Sequence, residues 1–177
     1  MTELAAALAA LAPSPKDAGR LELIVRRPAV GEREVLDEAD LDLTAGLVGD
    51  TWNQRPSSRT PDRSPHPYMQ LNVMNSRAID LIAGERGRWP LAGDQLYVDL
   101  DLSGENLTAW TRLAIGTAVI EVTDQPHTGC DKFASRFGVD AMKFVNSELG
   151  RELNLRGINA RVVTPGIIRR GDVVRKV

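Results

Sequence analysis

The spacing of the apolar runs restricts this chain more than any other feature. They are short, they alternate, and turns divide most of them. Period-two alternation sends successive side chains to opposite faces of a sheet. LYVDLDL (96–102) is the cleanest case: Leu96, Val98, Leu100 and Leu102 fall on one side, Tyr97, Asp99 and Asp101 on the other. AVIEVTD (118–124) alternates through Ala118, Ile120 and Val122, with IGTA as the turn before it. LELIVRRPAV (21–30) is a strand cut off by Pro28 and Gly31, and YMQLNVMN is a less regular one. At the C-terminal end INARVV, II and VVRKV are separated by TPG and RRGD, which predicts hairpins. Helices do not alternate with strands in βαβ fashion. The expected fold is therefore mainly β with flanking helices, a mixed or antiparallel barrel.

Helical periodicity appears in four places. Residues 4–12 form an Ala/Leu-rich helix stopped by Pro13 and Pro15. RAIDLIAGERG places Ile79, Ile82 and Ala83 on one face, capped by Asn75 or Ser76 and ended by Gly84 or Gly87. FASRF and AMKFVNSEL meet at Gly138. Gly46 and Gly49 mark a bend, and four prolines in residues 53–67 forbid both helix and central strand there. The expected organisation is a terminal helix and linker over 1–20 and a barrel domain over 21–177. A length of 177 residues suits one such domain.

Net charge is −2, which argues against bulk attraction to nucleic acid or to acidic lipid. The single cysteine forbids an internal disulfide and fits a reducing compartment. No apolar run approaches the roughly 20 residues that cross a bilayer, and the N-terminus has no basic signal-peptide region. A cytoplasmic location is the expectation.

The chemistry concentrates in QPHTGCDKF, directly after the strand AVIEVTD. Cys130 follows a turn and precedes a helical pattern that Thr128 or Asp131 could cap. A thiol at a helix start meets the positive end of the macrodipole, which favours the thiolate. His127 and Lys132 could act in the same direction. A thiolate suits nucleophilic catalysis, sulfur carriage or soft-metal ligation. Against this stands the ordinary role of a lone cysteine as a small buried hydrophobe, and of a lone histidine as a hydrogen-bonder. Zinc is poorly served by one cysteine and two histidines, and no GxxxxGK[ST] or GxGxxG occurs. SGENLT (103–108) follows the best strand; Gly104, Glu105 and Asn106 either present groups from its end or make a plain turn. Arg156, Arg161, Arg169 and Arg170, with Arg55, Arg59 and Arg63, could hold an anion by bidentate hydrogen bonds or could simply coat strand edges.

GENL in a turn, then LxIGxAxIEVT, a short bend to a cysteine, and RGINARVVTPGIIRRGD resemble, in that order, the MOSC domain, named after the C-terminal domain of molybdenum-cofactor sulfurase. The match runs from about Gly46 to the C-terminus. The resemblance implies a β-barrel with a pocket whose key residue is Cys130, as molybdenum ligand or sulfur carrier. His127 stands beside it as a catalytic candidate. Gly104, Glu105, Asn106, Thr128, Lys132, Arg156 and Arg161 are the candidates for holding the anionic molybdenum pterin cofactor. The resemblance implies either sulfurtransferase-like chemistry or reduction of N-hydroxylated compounds such as hydroxylaminopurines and amidoximes. A cysteine desulfurase or an external redox partner would then be needed. Pyridoxal phosphate would sit on a partner, because this chain has no room for that domain. The alternative of another class is a non-catalytic binding module that keeps the barrel and uses Cys130 only as packing. Many members carry a His/Gly-rich stretch and an Asp-Arg-Ala-Val-like segment after the first GD. Here GDTWNQRPSSRTPDRSPHPYMQLN stands instead, so this side of the pocket differs.

Overall fold

A computed structural model describes residues 3–177; Met1 and Thr2, at the start of the expected 1–20 segment, lie outside the described residues. Helix α1 (Glu3–Ala10) leads into β1 (Ala18–Arg26), β2 (Glu34–Leu36), β3 (Glu38–Asp42) and β4 (Gly46–Leu47). A long loop with 3-10 turns at Trp52–Gln54 and Pro67–Met69 reaches β5 (Leu71–Asn75) and α2 (Ser76–Ala83). A third 3-10 segment (Arg86–Ala92) precedes β6 (Leu96–Asp99), β7 (Arg112–Ile115) and β8 (Ala118–Val122). Then come α3 (Asp131–Phe137), α4 (Val139–Asn146) and α5 (Glu148–Glu152), followed by β9 (Ile158–Thr164), β10 (Gly166–Arg169) and β11 (Val173–Lys176).

Seven strands close on themselves in the order β1-β6-β5-β9-β8-β7-β11, with β11 pairing back to β1. Every contact is antiparallel except β5–β6. That pair is parallel, and α2 with the 86–92 turn forms its crossover, so one βαβ unit stands inside a barrel expected to lack them. The C-terminal hairpins are also not formed. β10 leaves β9 to pair with β3 in a separate three-stranded sheet, and β11 goes to β7 and β1 as the closing strand. Turn chemistry between two runs shows that the chain reverses, but not which neighbour each run finds.

Local signals explain most ends. Asn75 accepts a hydrogen bond from the Ala78 N–H as the N-cap of α2, and Gly84 ends that helix in the left-handed region. Residues alternate between two cores. Leu71, Val73, Leu96, Val98, Ile158 and Ala160 fill the barrel. Met74, Tyr97, Leu23 and Val25 face outward and bury against Ala78, Phe133, Phe144 and Leu155 under the helices. In β1 a bulge between Leu21 and Leu23 lets Leu21 and Ile24 both point inward. No helix among the described residues is long and apolar enough to cross a membrane.

Candidate functional site

The barrel lumen is packed with aliphatic side chains, so the polar chemistry lies elsewhere. On the outer wall the apolar row of Met74, Tyr97 and Val25 is continued, two residues along each strand, by Asn72, Gln95 and Arg27. These groups are buried or half-buried and bonded to one another. Arg27 grips Asp50 with two guanidinium bonds of 2.7 Å while its own N–H meets the same carboxylate at 3.0 Å. Its Nη1 donates to Asn72 Oδ1 at 3.2 Å and to the Gly93 carbonyl at 3.0 Å. Asn72 donates to Asn159 at 2.7 Å, and Asn159 donates to the Gln125 carbonyl at 3.1 Å. The network thus joins the start of the 50–67 loop, the 93–95 turn and the 124–127 segment to two barrel strands.

Beside it Asp94, fully buried, receives Arg156 Nη1 on Oδ2 at 2.7 Å. Arg156 also donates to the Ala92 carbonyl at 3.0 Å and lies 4.9 Å over the Phe133 ring. His127 Nδ1 stands 3.5 Å from Asp94 Oδ1. Burial, then Arg156 and Arg27, push the His127 imidazole well below its ordinary range, so it is neutral near pH 7. Burial pushes the Asp94 carboxyl up, against the pull of Arg156.

Four guanidiniums near this wall meet, among the described residues, only neutral oxygens in their hydrogen bonds. Arg33 donates to the Pro90 carbonyl at 3.1 Å, Arg136 to the Leu91 carbonyl at 2.6 Å, Arg55 to Thr51 Oγ1 at 2.8 Å and Arg59 to Gln125 Oε1 at 3.2 Å. Arg33 and Arg136 converge over Gly93, whose φ is +89°; a Cβ there would lie 3.3 Å from Arg33 Nη2 and 3.6 Å from Arg136 Nη1. Burial and neighbouring guanidiniums lower the Arg33 and Arg55 pKa values, which an anion would relieve. Arg27, Arg55, Arg59, Trp52, His66 and Asn72 line a cavity of about 290 Å³ in the same region.

Cys130 is exposed and is itself the N-cap residue of α3, accepting from the Phe133 and Ala134 N–H groups through its carbonyl. Neither Thr128 nor Asp131 caps that helix. The preceding bend is clamped by Asn146, which accepts from the Gly129 N–H and donates to the Gly129 carbonyl, both at 2.9 Å. His127, being neutral, supplies no positive charge to the thiol. Thr128 and Lys132 are exposed.

The structure brings Gly104 and His127 to one cavity of about 370 Å³, uniting two segments far apart in the chain. Asn106 instead ties its own turn, donating to the Asp101 and Lys16 carbonyls and accepting from Lys176, while Glu105 is exposed. Arg156 is neutralised by Asp94, and Arg161 by Glu121 at 2.7 Å on another face of the barrel. Sequence reasoning missed Arg27, Asp50, Asp94, Arg33 and Arg136. Residues 23 apart, such as Arg27 and Asp50, meet only through the fold, and no local pattern announces them.

The profile of the family described as MOSC domain matches residues 62–175. The chain is similar in fold to the YuaD protein from Bacillus subtilis, with a TM-score of 0.60 and 18% identity, over 89% of this chain and 94% of that one. It is similar to YiiM from Escherichia coli, with a TM-score of 0.56 and 20% identity, over 89% and 69% of the two chains. It is similar to YiiM from Geobacillus stearothermophilus, with a TM-score of 0.53 and 14% identity, over 93% and 74%. No curated protein matches the chain.

Proposed function

The chain belongs to the MOSC domain family, related to the molybdenum cofactor, and we propose that Cys130 ligates molybdenum of a bound pterin cofactor or carries a transferable sulfur. What supports this most is the exposed thiol together with guanidiniums whose hydrogen bonds among the described residues go to neutral oxygens. An anionic cofactor fits such residues: Arg33 and Arg136 over Gly93, with Arg55 and Arg59 at the cavity, would hold its phosphate, and Cys130 would meet the metal. When bound, the cofactor would supply two-electron redox chemistry or accept a sulfido ligand. The chain's own part is to orient it, with Arg27 and Asp50 bracing the wall and Asn146 holding the approach to Cys130. Exposure of Cys130 leaves little support for a purely packing role.

A second reading, reduction of N-hydroxylated compounds, is favoured by one observation. His127 borders a further cavity with room for a small substrate. Electrons would come from an external donor, because one cysteine cannot ligate an iron–sulfur cluster.

The test is elemental analysis and persulfide labelling of the protein purified from cells that make the cofactor. Wild type is expected to carry molybdenum or persulfide, Cys130→Ala neither, and an Arg33→Ala, Arg136→Ala pair at least tenfold less molybdenum. Wild type lacking both would overturn the reading.

A further inference from the structure

Three polar atoms of neighbouring side chains are sealed from solvent without a hydrogen-bond partner: Asp94 Oδ1, His127 Nδ1 and Arg156 Nε. Such atoms are costly, and their pairing is informative. Nδ1 and Oδ1 face each other at 3.5 Å. A neutral imidazole carries one ring hydrogen. Placed on Nε2, it would leave the Nδ1 lone pair 3.5 Å from a carboxylate oxygen, with both atoms sealed from solvent. Placed on Nδ1, it points at that oxygen. Arg156, bonded to the other carboxylate oxygen at 2.7 Å and stacked on Phe133, supplies the countercharge that keeps the acceptor in place. Nε2 is neither sealed nor bonded among the described residues, and the side chain keeps 12% exposure.

We propose that Asp94, steadied by Arg156, holds His127 in the Nδ1–H tautomer, so that Nε2 is a hydrogen-bond acceptor for a ligand in the cavity between the 103–108 turn and the end of β8. The ligand class follows from the walls. Gly104, Thr108, Asp124, Gln125 and Asn154 are among its lining, and among the described residues no lysine or arginine is. The site therefore takes a molecule with an N–H or O–H donor and refuses anions, unlike the arginine cavity. It rests on the second reading, whose cavity this is, and names that site's ligand class; because the tautomer and the binding are read without molybdenum or Cys130, their failure is distinguishable from failure of that reading. Asp94 and Arg156 are positioning residues; His127 is the contact.

Nitrogen-15 NMR of the imidazole in the full chain tests the tautomer, and titration with hydroxyurea, an uncharged N–H and O–H donor, tests the site, with acetate as the anionic comparison. The expected spectrum at pH 7 has hydrogen on Nδ1, and the imidazolium is expected to form only well below the ordinary histidine range, because burial and then Arg156 and Arg27 disfavour it. The groups facing the ring are Asp94, Arg156 and Arg27. In Asp94→Asn the amide can turn its NH2 to Nδ1, and the hydrogen is expected to move to Nε2. Hydroxyurea is expected to shift the Nε2 resonance, and acetate to leave it unmoved. His127→Gln, whose carbonyl reaches the place of Nε2, should keep hydroxyurea binding within about threefold; His127→Asn should lose it at least tenfold. Hydrogen on Nε2 in wild type, or equal hydroxyurea affinity in wild type, His127→Gln and His127→Asn, overturns the proposal. Should His127→Asn not unfold cooperatively, the Asp94→Asn tautomer change and the Nε2 shift decide it, and an unchanged spectrum in either overturns it.

Discussion

Asp94, His127 and Arg156 place two charges and one imidazole under the helices, where water cannot screen them. Such a group survives only when partnered, and removing one partner strands the other. The consequence for His127 can be read against pH. Its folded pKa lies well below the ordinary value near 6.5, so the unfolded chain binds a proton that the native one refuses. Stability from this residue is therefore complete above about pH 6.5 and lost as pH falls, by up to about 1.4 kcal/mol per pH unit. Asp94, raised by burial, acts in the opposite sense nearer the carboxylate range. Denaturant midpoints at pH 7.0 and 5.5 should show wild type losing more stability than His127→Gln; equal losses would contradict the buried neutral imidazole. The sequence singled out His127 and Cys130 because glycine, proline and a helix start surround them. It could not show that His127 turns inward to Asp94 while Cys130 turns outward, since the two are only three residues apart.

The elements around the site depend on side chains that reach across gaps in sequence. The segment between β8 and α3 has no ladder of its own. Asn146 at the end of α4 supplies two backbone bonds to Gly129, and Asn159 of β9 holds the Gln125 carbonyl. Asn146→Ala removes both Gly129 bonds and should cost about 1–3 kcal/mol. Hydrogen exchange should rise at residues 127–131 and stay unchanged in β1. Uniform exchange throughout would mean that Asn146 is a general stabiliser and not a clamp on the bend. Most helix ends were legible, although AMKFVNSEL, read as one helix, is broken at Ser147, which ends α4 and caps α5. Asn75 and Gly84 bound α2, and Gly138 divides α3 from α4, because caps and left-handed glycines act within a few residues. The extent of LYVDLDL was less so: the strand ends at Asp99, and Leu100 and Leu102 continue into the core as loop residues.

At the scale of the molecule the barrel closes through a short C-terminal strand. β11 joins β7 to β1, and Val174 is fully buried beneath that seam. An open edge there would expose unpaired backbone and the aliphatic lumen. A chain lacking residues 173–177 should lose cooperative thermal unfolding and bind a hydrophobic dye, whereas Val173→Thr, at an exposed position of the same strand, should unfold within about 0.5 kcal/mol of wild type. Retained cooperativity in the truncated chain would mean that closure is dispensable.

Alternation and turn residues by themselves were enough to establish a mainly β chain, its two-sided strands and the segment that presents Cys130, because those are properties of neighbours along the backbone. Partner choice was not. Whether β10 pairs with β9 or β3, and whether β5 and β6 run parallel, depends on which apolar faces bury together, and that is settled by the whole core. The same holds for charge. Every arginine is cationic in the sequence, but only the folded chain separates Arg27, Arg156 and Arg161, each beside a carboxylate, from Arg33 and Arg136, which converge over Gly93 with carbonyl oxygens as partners.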